Sequence, residues 1–320
     1  MLTTPLCAVL GIEVPIVQGP LGGPWSQLTD LPAAVCEAGG LGTIPTSLRT
    51  AGEVRADLAQ LRAKTSRPFA VNMTRRPFSE DVFEALLADP PPVFWLSLGD
   101  PGELADRVHD GGGVFVQQVE TLDQAERAAD AGADVIVAQG SEAGGFGGQI
   151  GTLVLVPQVV AAVAPIPVVA SGGIADGRGL AAVLALGAQG ACLGTRFLAS
   201  AECGVAPEWK DQITTATSED AVKLAFAEHV FTPPTAGGYM SVPRSLRTGF
   251  VDEWNARVAE AAHDSDLLRA QLRMASANGV AHRLVPFAGQ GAGLVGEVLS
   301  AAEIVRTTVA DAERILTSWC

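Results

Sequence analysis

Short apolar runs rich in β-branched residues recur at fairly regular intervals between residues 16 and 194. They are continuous rather than alternating in hydrophobicity, which is typical of strands buried on both faces of a parallel sheet. The pattern predicts eight strands, which contain residues 16–18, 41–44, 69–72, 93–96, 114–117, 135–138, 168–170 and 191–194.

Segments with a helical period lie between these runs. Residues 121–131 begin at Thr121, a favourable N-cap, place apolar positions on one face and stop at Gly132. The segment 176–186 ends in the same way at Gly187. Strand and helix alternate eight times, which predicts either a (β/α)8 barrel or an open doubly wound sheet. Eight repeats favour the barrel.

The regular alternation stops near residue 206, where the chain becomes more polar and more charged. We therefore predict an α/β fold, a (β/α)8 TIM barrel with a small inserted helical subdomain that covers the barrel mouth. The insertion includes a predicted loop, 231–238 (FTPPTAGG), and the last amphipathic helix, 297–316, is expected to return to the outer ring. The predicted boundaries are 1–205 and 276–320 for the barrel and 206–275 for the subdomain.

Composition narrows the class of protein. The chain has 320 residues, 21 Lys and Arg against 35 Asp and Glu, a net charge of −14, and 48% apolar residues. This hydrophobicity excludes a disordered chain, and the acidic balance argues against a nucleic-acid partner. Five scattered Cys without a CxxC pair favour a reducing compartment over a disulfide framework or a metal site. The N-terminus lacks a basic signal region, so we expect no signal peptide. With the cysteine pattern this predicts a cytoplasmic protein, and no feature supports a membrane partner.

Two glycine-containing turns follow the last two predicted strands. The C-terminal strand ends of a (β/α)8 barrel carry its chemistry, and phosphate sites recur after strands seven and eight. Gly172–Gly173 and Gly194–Thr195 stand at these two positions. Their backbone N–H groups, beside helix starts, can together bind an anion. Either pair alone could serve only to turn the chain, but both pairs on adjacent strands favour a phosphate site.

Amide side chains stand at four other strand ends: Gln18, Asn72, Gln117 and Gln139. An isolated amide at a strand end is most often a structural hydrogen-bonding group. Four amides around one mouth suit a neutral heteroaromatic ring, because amides both donate and accept hydrogen bonds. A phosphate and such a ring together fit flavin mononucleotide, FMN.

The same strand ends carry sequence motifs of a known family. They are PIVQGP (15–20), GGLG (39–42), FAVN (69–72), QGSEAGG (139–145), ASGGI (170–174), LGTRF (193–197) and GQGAGL (289–294). In these motifs the chain resembles, over nearly its whole length, the nitronate monooxygenase (2-nitropropane dioxygenase-like) family of FMN-dependent (β/α)8 barrels. Flavin-dependent enoyl-acyl-carrier-protein reductases and NADH:quinone reductases belong to the same superfamily.

The resemblance implies FMN as the cofactor, with its phosphate at the last two strand ends. NAD(P)H is a candidate co-substrate. Together, the strand ends and the resemblance give as candidate cofactor-binding residues Gln18, Gly19, Pro20, Asn72, Gln117, Gln139, Gly144, Gly145, Ser171, Gly172, Gly173, Cys192, Leu193, Gly194 and Thr195.

The sequence departs from the family pattern at one position. The family continues Glu-Ala-Gly-Gly with His, its usual catalytic base, whereas this chain has Phe146. A phenyl ring cannot accept a proton, so Phe146 cannot remove an α-proton from a substrate. We expect Phe146 instead to shape an apolar pocket.

No residue is assigned in place of the missing His. His229, His282 and Glu142 are the candidates, with structural or surface roles as the alternative for each histidine and loop bracing as the alternative for Glu142. Arg196 and Arg244 are candidate anion clamps, again with structural roles as the alternative.

Three functions are compatible with the sequence. The first is an FMN-dependent oxidoreductase related to nitronate monooxygenases that oxidises a small anionic or carbonyl-activated substrate. The second is an NAD(P)H-dependent flavin reductase or dehydrogenase acting on a quinone, an enoyl group or an acyl thioester. The third is a flavin-binding protein without turnover. A small molecule is the expected partner, and a homo-oligomer is left open.

Overall fold

The eight predicted strands are all present in the structure, a computed structural model that describes residues 2–21, 28–231 and 241–318. They are β1 (Ile16–Gln18), β2 (Gly42–Pro45), β3 (Phe69–Thr74), β4 (Val93–Ser97), β5 (Val114–Val119), β6 (Val135–Gln139), β7 (Val168–Ser171) and β8 (Gly190–Leu193). Seven neighbouring pairs hydrogen-bond in parallel, in the order β1-β8-β7-β6-β5-β4-β3-β2.

The sheet closes between its two edge strands, β1 and β2. Gln18 N donates to Leu41 O at 2.8 Å, and Leu41 N donates to Ile16 O at 2.9 Å. Val17 and Leu41 form a parallel bridge at this point. The eight strands are therefore a closed barrel, which confirms the (β/α)8 TIM fold and excludes the open sheet.

Helices follow the strands, and several begin at the caps that the sequence carries. They are α1 (Pro5–Leu10), α2 (Asp30–Glu37), α3 (Ala51–Lys64), α4 (Glu80–Ala88), α5 (Leu104–Asp110), α6 (Leu122–Asp130), α7 (Thr152–Val163), α8 (Gly177–Ala185), α9 (Thr195–Leu198) and α15 (Ala301–Thr317). The Thr121 side chain accepts from Gln124 N, which starts α6. The C-terminal helix α15 packs against α8 and α2 and completes the outer ring.

The apolar side chains of the strands form two clusters, one on the inner and one on the outer face of the barrel. One fills the barrel and includes Val17, Trp95 and Val137, with Leu6 and Leu10 of α1 among its members. The other lies between the strands and the surrounding helices. Because successive side chains on a strand point to opposite faces, this division fixes which strand-end residues reach the barrel mouth.

Residues 206–275 contain more than helices. The segment holds α10 (Pro207–Thr215), β9 (Ala221–Lys223), α11 (Ala227–Val230), β10 (Arg244–Leu246), α12 (Gly249–Ala256), α13 (Val258–His263) and α14 (Ser265–Ala277). β9 and β10 pair in antiparallel fashion. A separate apolar cluster that includes Phe226, Val251 and Leu268 lies here. The division into barrel and cover stays a prediction, and all but the first residue of the predicted loop 231–238 lies outside the described residues.

Neither a membrane-spanning helix nor a metal-binding cluster occurs in the part of the chain that the structure describes. No helix there is long and apolar enough to cross a membrane. No group of three or more His, Cys, Asp or Glu side chains in those residues could hold a metal ion.

Substitution of Gly42 tests the close contact between β2 and α2. An added Cβ would lie 2.1 Å from the carbonyl oxygen of Pro32, a backbone atom. We expect Gly42→Ala to lower the free energy of unfolding by about 3 kcal/mol, because overpacking of this kind forces the backbone to shift. Gly52→Ala is the matched control. Its Cβ meets nothing within 4 Å and it lies in a helix, so it should leave stability unchanged or raise it. Urea denaturation measures both, and a wild-type midpoint for Gly42→Ala would contradict the expectation.

Candidate active site

A cavity of about 530 Å³ opens at the C-terminal ends of the barrel strands. Its lining includes all the candidate cofactor residues except Gln117 and Leu193, and also Phe146. The barrel therefore brings together side chains and loops that are far apart in sequence. Residues that sequence reasoning did not single out complete the lining, among them Thr43, Arg76, Ser97, Gln118, Trp209, Phe231 and Phe287.

A chain of polar side chains crosses the cavity floor. Asn72 Nδ2 donates to Ser97 Oγ at 2.9 Å, Ser97 Oγ donates to Gln118 Oε1 at 3.2 Å, and Gln118 Nε2 donates to Gln139 Oε1 at 3.0 Å. These bonds engage two of the four amide atoms of Asn72 and Gln139, the residues at the two ends of the chain: Asn72 Nδ2 and Gln139 Oε1. Within the described residues, Asn72 Oδ1 and Gln139 Nε2 have no partner, so the two ends offer one acceptor and one donor to a ligand.

Gln117 and Leu193 lie on the outer side of the barrel wall. Val116 belongs to the cluster inside the barrel and Phe115 to the cluster under the helices. The alternation along β5 therefore turns Gln118 inward and Gln117 outward, where Gln117 Nε2 donates to Gly99 O at 3.1 Å. Leu193 packs in the outer cluster for the same reason.

The two glycine turns present unpaired donors. Gly172 and Gly173 adopt φ of +105° and +73°, conformations that favour glycine. Within the described residues, the backbone N–H groups of Gly172, Gly173, Gly194 and Thr195 donate to no other atom. The start of α8 is occupied separately, because Asp176 accepts from Arg178 N and Gly179 N. An anion would therefore bind the turns rather than the end of α8.

The loop after β6 is held by backbone contacts. An added Cβ on Gly144 would lie 2.5 Å from Gly289 N, and one on Gly289 would lie 2.6 Å from Glu142 O. Both glycines permit the close approach of two segments. Gly145 differs, because its added Cβ would meet nothing within 4 Å and its φ is +66°. Gly145 therefore borders open space at the cavity.

Glu142 braces this loop and does not line the cavity. Its carboxylate accepts from Thr152 N at 2.9 Å and from Thr152 Oγ1 at 2.9 Å. These bonds hold the loop to the start of α7. The geometry is that of a loop-bracing carboxylate and not of a catalytic base.

Three phenyl rings form one wall of the cavity. The ring centroid of Phe146 lies 6.0 Å from that of Phe231 and 6.3 Å from that of Phe287. The Phe231 and Phe287 centroids are 6.0 Å apart. The three rings pack edge to face or tilted, which is favourable for aromatic pairs, and present an apolar surface.

The wall that carries Phe146 is fixed by the insertion. Gly145 N and O pair with Arg244 O and N at 3.1 and 2.8 Å, and Val242 N donates to Gly147 O at 3.0 Å. Lys223 Nζ donates to the carbonyl oxygens of Gly147, Gly148 and Val242 at 3.0, 3.2 and 2.7 Å. Sequence reasoning missed Lys223, which lies far along the chain from the loop it holds.

The titratable groups that the structure describes around the cavity do not provide a base. Burial raises the pKa of the Cys192 thiol to about 12, and burial also raises the pKa of Cys203. Both thiols therefore stay protonated near neutral pH. His229 lies outside the lining, with Nε2 3.5 Å from the Glu228 carboxylate. His282 stacks on Trp209 in a neighbouring cavity, and burial lowers its pKa.

Arg196 and Arg244 are occupied by backbone carbonyls. Arg196 Nη2 donates to Ala199 O and Glu297 O at 2.8 and 2.6 Å. Arg244 Nη2 donates to Ser141 O at 2.9 Å, and Arg244 Nη1 donates to Ala221 O at 2.5 Å. Both guanidinium groups hold loops in place and are not directed at a ligand.

Known proteins are similar to this chain over most of its length. The nitronate monooxygenase family model matches residues 3–83 and 76–311. A (3aS,4S,5R,7aS)-5-hydroxy-7a-methyl-1-oxo-octahydro-1H-indene-4-carboxyl-CoA dehydrogenase of Mycobacterium tuberculosis is 30% identical over 343 residues, covering 97% of this chain and 96% of that protein.

Solved structures are similar over the whole barrel. FabK from Thermotoga maritima superposes with a TM-score of 0.88 at 31% identity, covering 100% of this chain and 99% of that one. A nitroalkane oxidase from Streptomyces ansochromogenes has a TM-score of 0.83 at 30% identity, covering 98% and 99%.

The buried ammonium of Lys223 predicts a pH dependence of stability. Burial, followed by the charge of Arg244, lowers the pKa of Lys223 to about 8 from an ordinary value of 10.5. Between these values the folded protein holds fewer protons than the unfolded chain, so this group adds stability as pH rises. We expect the free energy of unfolding of the wild type, relative to Lys223→Met, to increase by about 1 kcal/mol from pH 7.5 to 9.5, after allowance for partial exposure of the group.

Urea denaturation of the two proteins at several pH values measures this difference. Between pH 6 and 7 the lysine is protonated in both states, so the difference should be constant there. A difference that stays flat or falls above pH 8 would contradict the assignment.

Proposed function

The chain belongs to the nitronate monooxygenase family, and we propose that it is an FMN-dependent oxidoreductase whose substrate reaches the flavin already anionic or activated by a carbonyl group. The protein is an oxidoreductase of a flavin-dependent family. The proposal concerns the FMN form of the cofactor, the substrate class and the residues that serve them. Cytoplasmic location and a homo-oligomer stay predictions.

The donors and the cavity size fit FMN. Gly172, Gly173, Gly194 and Thr195 offer unpaired backbone N–H groups on adjacent strand ends, a combination that suits a phosphate. The cavity of about 530 Å³ lies in the range typical of cofactor sites. No acidic side chain lines the cavity among the described residues, so no carboxylate there opposes an anion.

Asn72 and Gln139, the two ends of the hydrogen-bonded row of polar side chains, fit the edges of the flavin ring. Asn72 Oδ1 is a free acceptor and Gln139 Nε2 a free donor, matched to a heteroaromatic ring with both donor and acceptor atoms. When bound, the flavin supplies the two-electron redox chemistry. The protein supplies the orientation of ring and phosphate and a wall that keeps water out.

The observation that carries the proposal is the lack of a proton acceptor in the cavity lining. Among the described residues of the lining, no His, Asp, Glu, Lys or Tyr occurs, and the two thiols are protonated near neutral pH. General-base removal of a proton from a neutral nitroalkane therefore has no group to perform it. A preformed nitronate is already an anion and needs no such group.

A second function is favoured by a specific comparison. The relative that matches 97% of this chain is named a carboxyl-CoA dehydrogenase. A thioester carbonyl activates the neighbouring carbon, and NAD(P)H could equally deliver hydride without a base. Under anaerobic conditions, fast bleaching of the flavin by NADH or NADPH supports the NAD(P)H-dependent reductase, whereas bleaching only by a nitronate supports the first function. A flavin spectrum that none of these reductants changes would favour a protein without turnover.

Loss of the free amide donor should weaken FMN binding. We expect Gln139→Leu to raise the Kd for FMN about 10-fold, which corresponds to one hydrogen bond of about 1.4 kcal/mol. Gln117→Leu is the matched control on the outer side of the wall and should change the Kd less than about 2-fold. Fluorescence titration of the apoprotein measures both values. Equal effects of the two substitutions would argue against Gln139 as a ring contact.

A histidine at position 146 should restore the missing proton acceptor. We expect Phe146→His to raise the rate of oxidation of neutral nitroalkanes at least about 10-fold, because a positioned base contributes this much or more. Oxidation of the preformed nitronate should change little. Oxygen consumption measures both rates.

Phe287→His is the control for this substitution. It places an imidazole in the same aromatic wall but not at the family position. If Phe146→His gains nothing over Phe287→His, the base hypothesis is wrong.

A further inference from the structure

The charge on the cavity lining is concentrated in one side chain. Among the described residues of the lining, Arg76 alone carries a formal charge near neutral pH. The chain as a whole has a net charge of −14, so the positive charge of Arg76 is opposite in sign to the net charge of the protein. A cation at the entrance of an otherwise neutral cavity favours the entry of anionic ligands.

Arg76 has no partner among the residues that the structure describes. In the described part of the chain, no carboxylate, carbonyl or aromatic ring contacts its guanidinium group, and its residue is exposed. The neighbouring Arg75 differs, because its guanidinium carbon lies 5.0 Å from the centre of the Phe78 ring. The guanidinium group of Arg76 therefore keeps all its donors for a ligand.

The loop that carries Arg76 is fixed on both sides. Thr74 Oγ1 donates to Pro77 O at 2.9 Å, and Arg75 N donates to Ser97 O at 2.8 Å. β3 and the turn that follows it line the cavity with three polar side chains: Asn72 is buried, Thr74 is half-buried and Arg76 is exposed. This part of the chain thus offers an amide, a hydroxyl and a cation to the cavity, in order of increasing exposure.

An apolar side chain stands at the same rim. Leu48 follows β2, the strand next to β3, and lines the cavity although it is 81% exposed. Its φ of +63° is unusual for a leucine and presents the side chain at the entrance. A ligand held here would place an alkyl segment against Leu48 and an anionic group at Arg76.

We propose that Arg76 binds an oxyanion, a carboxylate or a phosphate, that the substrate carries at a distance from its reacting carbon. This rests on the proposed function for the identity of the reacting group. Guanidinium binds both oxyanions through paired N–H donors. The carboxylate would belong to a small nitronate that also carries a carboxylate group, and the phosphate to the carrier part of an acyl thioester. In each case the reacting carbon lies by the aromatic wall and the oxyanion at the rim.

Binding of simple amphiphiles tests Arg76 without any turnover. Hexanoate, hexyl phosphate and hexanol are titrated calorimetrically into the FMN-loaded wild type, Arg76→Met, Arg76→Lys and Arg55→Met. Arg55 is an exposed arginine on α3 outside the cavity and serves as the matched control.

We expect Arg76→Met to weaken both anions at least about 10-fold and hexanol less than about 2-fold. Arg76→Lys should recover part of the loss, and Arg55→Met should change nothing. The anion affinity of the wild type should fall with added NaCl, because the site is exposed. The proposal would be overturned if Arg76→Met weakened the binding of hexanol as much as that of the anions, or if it weakened the binding of neither anion.

A second arm uses substrates that share a reacting group. Propionate 3-nitronate is compared with propyl 1-nitronate, and a coenzyme A thioester with its pantetheine analogue, through the change in flavin absorbance under anaerobic conditions. A preference for the charged member of one pair, lost in Arg76→Met, identifies the source of the oxyanion. If the amphiphiles depend on Arg76 but no nitronate, thioester or NAD(P)H changes the flavin spectrum, the proposed function fails and the anion site stands.

Discussion

Closure of the eight-stranded sheet is the constraint on which the site depends. The hydrogen bonds between β1 and the segment at Leu41 leave no free sheet edge, and apolar clusters cover both faces of the strands. Polar groups can then remain open to a ligand only where the strands end. Among the described residues, the unpaired N–H groups of the glycine turns and the free amide atoms of Asn72 and Gln139 all lie at or next to these strand ends.

The insertion contributes to the same site. Its segment 242–244 pairs with residues 145–147, and Lys223 holds three backbone carbonyls at this joint. Phe146 is therefore positioned by residues that come a hundred positions later in the chain as much as by its own loop. The side chain at position 146 can therefore change without loss of loop order, since backbone bonds and Lys223, not that side chain, hold the loop.

Much of the fold could be predicted because buried parallel strands give continuous apolar runs that a sequence displays directly. The same continuity hides which side chain of a strand faces inward, and so Gln117 was chosen where Gln118 lines the cavity. Lys223, Phe231 and Phe287 escaped for another reason. Lys223 and Phe231 belong to a segment whose short strands, β9 and β10, leave no clear period, and Phe287 joins the site through a bridge to Ser245 of β10. Arg76 could not be predicted, because nothing in the sequence distinguishes it from other exposed arginines until the cavity beside it is known.

A crystal structure of the protein grown with FMN tests the central claim most directly. The account predicts the phosphate within hydrogen-bond distance of the backbone N–H groups of Gly173 and Thr195, the ring edge on Asn72 Oδ1 and Gln139 Nε2, and the Phe146 ring beside the flavin with no ionisable side chain nearer. Flavin bound elsewhere, or a carboxylate or imidazole in contact with the substrate face of the ring, would contradict it.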